Sequence, residues 1–219
     1  MNTAILQPII NSPELPKYIQ KLTEIYQYEQ KKRTAFYNLI TEDDKAEFIN
    51  GKAIFHSPVK KKHSDALDFL QTLVSPYVRL NKLGRVYVEK LMIELSRNSY
   101  EPDLCFFEQK RVKQFDEEQM LFPAPDFIVE IISKSTEKND RGIKFTDYAQ
   151  HQVKEYWIID PNKKTLEQYL LSHGIYELNL KSHDGEVESK VIKGFRIPIK
   201  SIFSETENLK TLQTIITKP

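Results

Sequence analysis

Cysteine is nearly absent, with Cys105 alone in a chain of 219 residues. One thiol excludes an intrachain disulfide framework and a cysteine-rich zinc site, and it fits a reducing compartment. Glycine is scarce, at six residues, and none of them builds a glycine-rich phosphate loop. No apolar run approaches the ~20 residues needed to span a bilayer. The first residues lack a basic segment followed by an apolar one, so no secretion signal is expected and the expected location is the cytoplasm. An excess of charge is also missing: 32 Lys and Arg stand against 31 Asp and Glu. Any nucleic-acid surface must therefore be a local patch.

What is present centres on Pro125 to Tyr169. Asp126 and Glu130 interrupt an apolar run of Phe127, Ile128, Val129, Ile131 and Ile132. A run this short and β-branched, opened by Pro125 and closed by Ser133, predicts a buried strand. Alternation puts Asp126, Ile128, Glu130 and Ile132 on one face. An ionised carboxylate in a core strand is costly unless it is paired. The partner can be a metal ion or a Lys or Arg. Lys138 to Gln150 has helical spacing, with Asp140, Lys144 and Tyr148 four apart on one side. Glu155 to Pro161 is strand-like again, so the unit is βαβ with parallel strands.

Elsewhere, Met1 to Leu15 is expected to be irregular, with Pro16 to about Leu39 a packing helix. Asn50-Gly51 between two short apolar segments predicts a type I′ hairpin, with Glu47 on its first strand. Lys60, Lys61, Lys62 and His63 precede an amphipathic helix over Ser64 to Leu83, which Pro76 should kink or divide. This cluster is the candidate phosphate contact, although a solvated charge run has the same composition. Arg85 to Leu95 and Tyr100 to Glu108 predict a second hairpin, with Asp103 at the start of its second strand, where an acidic residue can also cap a turn. Gln109 to Ala124 is expected to be a surface loop or short helix. Thr165 to Leu171 and Gly174 to Leu180 form a further hairpin.

The ordered blocks Pro102-Asp103, PDFIVEIIS, S-T-x-x-x-D-R-G-x-K and VKEYWIIDP resemble the Uma2 family, once called DUF820, restriction-endonuclease-like proteins abundant in cyanobacteria. AEFINGKAIFHSP resembles an early hairpin of that family, His63 falls where it often has a His, and GFRIP resembles its closing segment. The resemblance runs from about Ala46 to Phe203. It implies an α/β fold: a PD-(D/E)xK nuclease core, a mixed sheet of four or five strands flanked by helices, with peripheral β-hairpins. It also implies a domain over 45–203, a partly helical extension over 1–44 and a peripheral tail over 204–219. Asp103 and Glu130 match the metal-binding pair, and Glu47 matches a further acidic ligand. The usual lysine position, two residues after the glutamate, holds Ile132. Lys144 matches the family's helical lysine instead. Asp126, Asp140 and Tyr148 are the supporting candidates around these groups.

The resemblance therefore implies a Mg²⁺-dependent endonuclease acting on DNA, with Mn²⁺ as a substitute, and a homodimer by analogy with restriction enzymes. Mg²⁺ keeps several waters, so one or two carboxylates suffice to hold it. A structural reading stands beside this one. Glu130 and Lys144 can form a strand–helix ion pair, with Asp103 capping a turn. The protein would then be a non-catalytic nucleic-acid-binding or protein-interaction module on the same fold.

Overall fold

The computed structural model describes residues 3–217. A 3₁₀ turn (Thr3–Ile5) and α1 (Gln7–Ile10) lead into α2 (Leu15–Leu39), so the opening segment is turned rather than irregular. Pro8 sits in the first turn of α1, where its missing N–H costs nothing. The hairpin β1 (Ala46–Ile49) and β2 (Lys52–Phe55) closes through Asn50 at φ 49° and Gly51 at φ 75°, as a type I′ turn requires.

The chain continues through α3 (Lys61–Leu80), β3 (Gly84–Val88), β4 (Met92–Glu94), β5 (Ser99–Tyr100), β6 (Leu104–Glu108), α4 (Gln109–Val112) and β7 (Leu121–Phe122). It then forms β8 (Phe127–Ile131), α5 (Glu137–Asp140), α6 (Ile143–Gln150), β9 (Glu155–Asp160), β10 (Thr165–Ser172) and β11 (Ile175–Ser182). The small hairpin β12 (Glu186–Glu188) and β13 (Arg196–Pro198), a 3₁₀ turn (Ile199–Ile202) and α7 (Glu205–Thr217) complete it.

Six strands form the central sheet in the order β11-β10-β9-β8-β6-β3, with β8 and β9 parallel. A five-stranded sheet, β2-β1-β5-β4-β7, lies beside it. Both faces of the central sheet are covered, which is why its inner strands read as continuous apolar runs. Alternation divides them. Phe127, Val129, Ile131, Trp157 and Ile159 pack with Leu70, Leu73 and Val74 of α3 and with Phe195 and Ile202. Ile128, Ile132, Tyr156 and Ile158 pack with Tyr148 and Ala149 of α6. Glu130 belongs by alternation to the α6 side.

Several expectations are corrected. α3 runs unbroken through Pro76, since buried Leu73, Val74 and Val78 pin the helix on both sides of the lost hydrogen bond. The segment 85–95 is split between the two sheets at Glu89 and Lys90, both at positive φ. The single helix over 138–150 is divided at Gly142, where a Cβ would lie 2.7 Å from the Lys138 carbonyl oxygen. The C-terminal segment is not merely peripheral: Leu212 and Ile215 of α7 pack on the core, and Asn208 donates to the Phe69 and Ser201 carbonyls. Among the described residues no helix is long and apolar enough to cross a membrane.

Candidate functional site

The register Leu104↔Val129 places Asp103, just before β6, beside Glu130 on β8. Asp103 Oδ2 accepts the Ile131 amide at 2.8 Å and Oδ1 accepts Lys45 Nζ at 3.1 Å, while His63 Nε2 lies 3.4 Å from Oδ1, within ion-pair distance but without hydrogen-bond geometry. Glu130 Oε1 accepts Lys144 Nζ at 3.0 Å and the Tyr148 hydroxyl at 2.9 Å. Both bonds fall on Oε1, and Oε2 accepts no hydrogen bond among the described residues. Lys144 Nζ also lies 2.7 Å from Glu47 Oε1 and 3.2 Å from Asp140 Oδ1. Its three protons therefore face three carboxylates. The Asp140 contact is the loosest, within ion-pair distance but without hydrogen-bond geometry at Oδ1.

Burial sets the electrostatics. Asp103 is 6% exposed, Glu130 3% and Lys144 3%. Five acidic groups (Glu47, Glu101, Asp103, Glu130, Asp140) face two lysines (Lys45, Lys144), a surplus of carboxylate in a poorly solvated space. Desolvation holds the Glu130 carboxyl well above its usual range; Lys144 opposes this, while Asp140, Asp103 and Glu47 add to it. Asp140 is raised chiefly by burial as well. Burial also acts on Asp103 and Glu47, but there it is outweighed. His63, Lys45 and the Ile131 amide hold Asp103 low, and Lys144 and His56 hold Glu47 low. The Lys144 ammonium is held firmly charged: burial disfavours it, but Glu130, Glu47 and Asp140 prevail. Burial pushes Glu101 up to about 7, against its bond from the Ala46 amide and the charge of Lys45.

A pocket of about 580 Å³ opens over this cluster. Its buried lining includes His63, Asp103, Glu130, Asp140 and Lys144, and its exposed lining includes Phe55, Val59, Lys60, Lys62, Lys134 and Asn162.

Not every sequence candidate reaches the pocket. Glu47 is buried behind Lys144 and does not line the pocket: Lys144 and the Glu101 amide engage Oε1, and His56 Nε2 lies 3.2 Å from Oε2. Tyr148 lies beneath Glu130. Asp126 is at the other end of β8, held by Arg111 at 3.2 Å, Lys154 at 3.0 Å and the Glu108 amide, because four residues of strand separate it from Glu130. Lys61 pairs outward with Asp65. His63 is buried against Asp103 and is no surface phosphate contact. Lys45, His56 and Glu101 were not evident from sequence. Glu101 does sit two residues before Asp103, and His56 closes the β1–β2 hairpin.

Among the described residues no three His, Cys, Asp or Glu side chains are arranged to hold a metal ion. The point on which three carboxylates converge is taken by Lys144 Nζ. The donor set nevertheless suits Mg²⁺, which needs only one or two carboxylate oxygens and retains water. Glu130 and Asp103 both line the pocket, and the carboxylate surplus favours added positive charge.

The fold is a mixed α/β one, and at its pocket an acidic pair on neighbouring strands of the central sheet meets a lysine from the adjoining helix. The chain belongs to the Uma2 family: the model described as "Putative restriction endonuclease" matches residues 33–200. A crystal structure from Anabaena variabilis ATCC 29413, described as "a putative nuclease belonging to DUF820", superposes with a TM-score of 0.67. It is 22% identical, with 81% of this chain and 96% of that chain covered. At that identity the likeness shows the fold. No curated protein matches the chain.

Proposed function

We propose that the protein is a Mg²⁺-dependent endonuclease that hydrolyses phosphodiester bonds in DNA, with Mn²⁺ able to substitute. The observation that carries this reading is the apposition of Asp103 and Glu130 across β6 and β8 at the floor of an open pocket. Those two carboxylates would hold the metal, which supplies Lewis acidity and an acidified water when bound. Hydrolysis adds one water oxygen to phosphorus and breaks one P–O ester bond, and the leaving alkoxide takes up a proton.

Lys144 faces three carboxylates, so its role here is to keep Glu130 oriented and the acidic cluster tolerable. Lys45, beside Asp103 and lining the pocket, would be the lysine that faces a phosphate. Asp140, whose Oδ1 makes the loosest contact with Lys144, is the group that would yield if Lys144 turned to the substrate.

The enzyme is proposed to be cytoplasmic and a homodimer. The proposed dimer surface is the N-terminal part of α2, where residues 16–28 are exposed and Ile19, Leu22 and Tyr26 form an apolar stripe, with the Tyr26 hydroxyl donating to the Ser96 carbonyl. An antiparallel second copy centred near Leu22 would set Lys21 against Glu24.

The test is cleavage of supercoiled plasmid and of circular single-stranded DNA with Mg²⁺ or with chelator, beside calorimetric Mg²⁺ titration. Wild-type protein should cut and bind metal, and Asp103→Asn and Glu130→Gln should lose both. No cleavage and no metal binding by the wild type would sink the reading and favour the non-catalytic module.

A further inference from the structure

The carboxylates proposed to act lie almost out of reach of solvent, while the pocket's rim is exposed and differently built. Phe55 is 53% exposed and Val59 is 47% exposed, and both line the pocket. An exposed aromatic ring is normal on a surface when isolated. This one stands at the entrance to an acidic floor and shares the rim with Lys60, Lys62 and Lys134. Lys60 and Lys134 form no ion pair among the described residues. Lys62 hydrogen-bonds Asn162, linking the first turn of α3 to the β9–β10 turn at the pocket edge. The site is thus divided into a sunken acidic floor and a rim of one aromatic ring, one aliphatic side chain and three lysines.

Duplex DNA is a poor match for this shape. Its backbones lie on a rigid cylinder and its bases face inward, so no base is available to Phe55. A lone strand can bend into the pocket and turn a base outward. Groups that bind single strands combine cations along the backbone with an aromatic platform for the base.

Building on the nuclease reading, we infer that the pocket admits a single unpaired strand, one base stacking on Phe55 and the adjacent phosphates gripped by Lys60, Lys62 and Lys134. The preferred substrate is single-stranded nucleic acid or an unpaired junction, and intact duplex is the poor one.

The experiment measures fluorescence anisotropy of a labelled oligothymidine and of a matched duplex in Ca²⁺, and Mg²⁺-dependent cleavage of both. Wild type, Phe55→Ala, Phe55→Trp and Lys60→Ala/Lys134→Ala are compared. The single strand should bind at least about tenfold tighter than the duplex. Phe55→Ala should lose about tenfold on the single strand alone, and Phe55→Trp should retain it. The double lysine variant should flatten the salt dependence of binding. Equal cleavage of duplex and single strand, with Phe55→Ala neutral, overturns the inference and leaves the nuclease reading standing. A single-strand preference that Phe55→Ala leaves untouched overturns the stacking assignment. Neither binding nor cleavage of either substrate ends the nuclease reading and the inference with it.

Discussion

Lys144 Nζ lies 3.0 Å from Glu130 Oε1, a buried contact that joins a helix to the middle of the central sheet. Removing the cation would leave Glu130, Glu47 and Asp140 facing one another without compensation. Lys144→Met should therefore destabilise the fold by about 3–5 kcal/mol, the usual result of breaking a buried pair from one side. Glu130→Gln should cost much less, since an amide oxygen can still accept from Lys144 and Tyr148. Urea denaturation of the two variants checks the asymmetry. A loss below about 1 kcal/mol for Lys144→Met would show that the carboxylates are neutralised by other means.

Lys45 makes a separable prediction. Its ammonium contacts Asp103 and Glu89 and is less buried than Lys144. Lys45→Met should lower the rate of DNA cleavage about 10²-fold with far less loss of stability than Lys144→Met. Single-turnover kinetics alongside thermal melts tests this. Full activity in the variant would return the phosphate-facing role to Lys144.

Acid sensitivity should be carried in part by Glu167, away from the pocket. Burial raises its carboxyl, but bonds from Arg141, Tyr169 and Lys181 prevail and bring it from its ordinary 4.5 down to about 2. A lowered folded value adds stability that is present above about pH 4.5 and lost as pH falls towards 2. The difference in stability between wild type and Glu167→Gln should be about 2 kcal/mol at pH 7 and should shrink through that window. A difference independent of pH would mean that the Arg141 fork does not depend on the charge of Glu167.

The α2 surface predicts an oligomer. Leu22→Lys should shift a homodimer to monomer in light scattering, with far-ultraviolet circular dichroism showing whether α2 keeps its helix. A wild type that is monomeric at working concentration removes the dimer proposal.

Local pattern made much of this legible. The alternation in β8, the Asn50-Gly51 turn and the helical spacing of Asp140, Lys144 and Tyr148 each depend on neighbours within a few residues. The strand–helix ion pair between Glu130 and Lys144, anticipated as the structural alternative, is present, and it does not by itself decide between the two readings. What sequence could not give came from long-range pairing. Glu47 meets the Glu101 amide because β1 and β5 associate across some fifty residues, through Phe48↔Ser99. His63 looked like the end of a solvated lysine run, and only the docking of α3 against the sheet brings it to Asp103. Asp126 shares the alternation of Glu130, but a face is long, and position along the strand decides which partners a side chain meets.

Ile132 occupies the position where the superfamily pattern would put a lysine, and it packs into the core beside Tyr148. Here the acid and the lysine consequently ride on different bodies, one on β8 and the other on α6. A force that eases α6 off the sheet would take away both partners of Glu130, Lys144 and Tyr148, and so free its carboxylate to turn. Under the proposed nuclease reading, modest changes beneath that helix, such as at Ala149, thus become a way to loosen Glu130 by degrees, which a lysine fixed two residues along the strand would not allow.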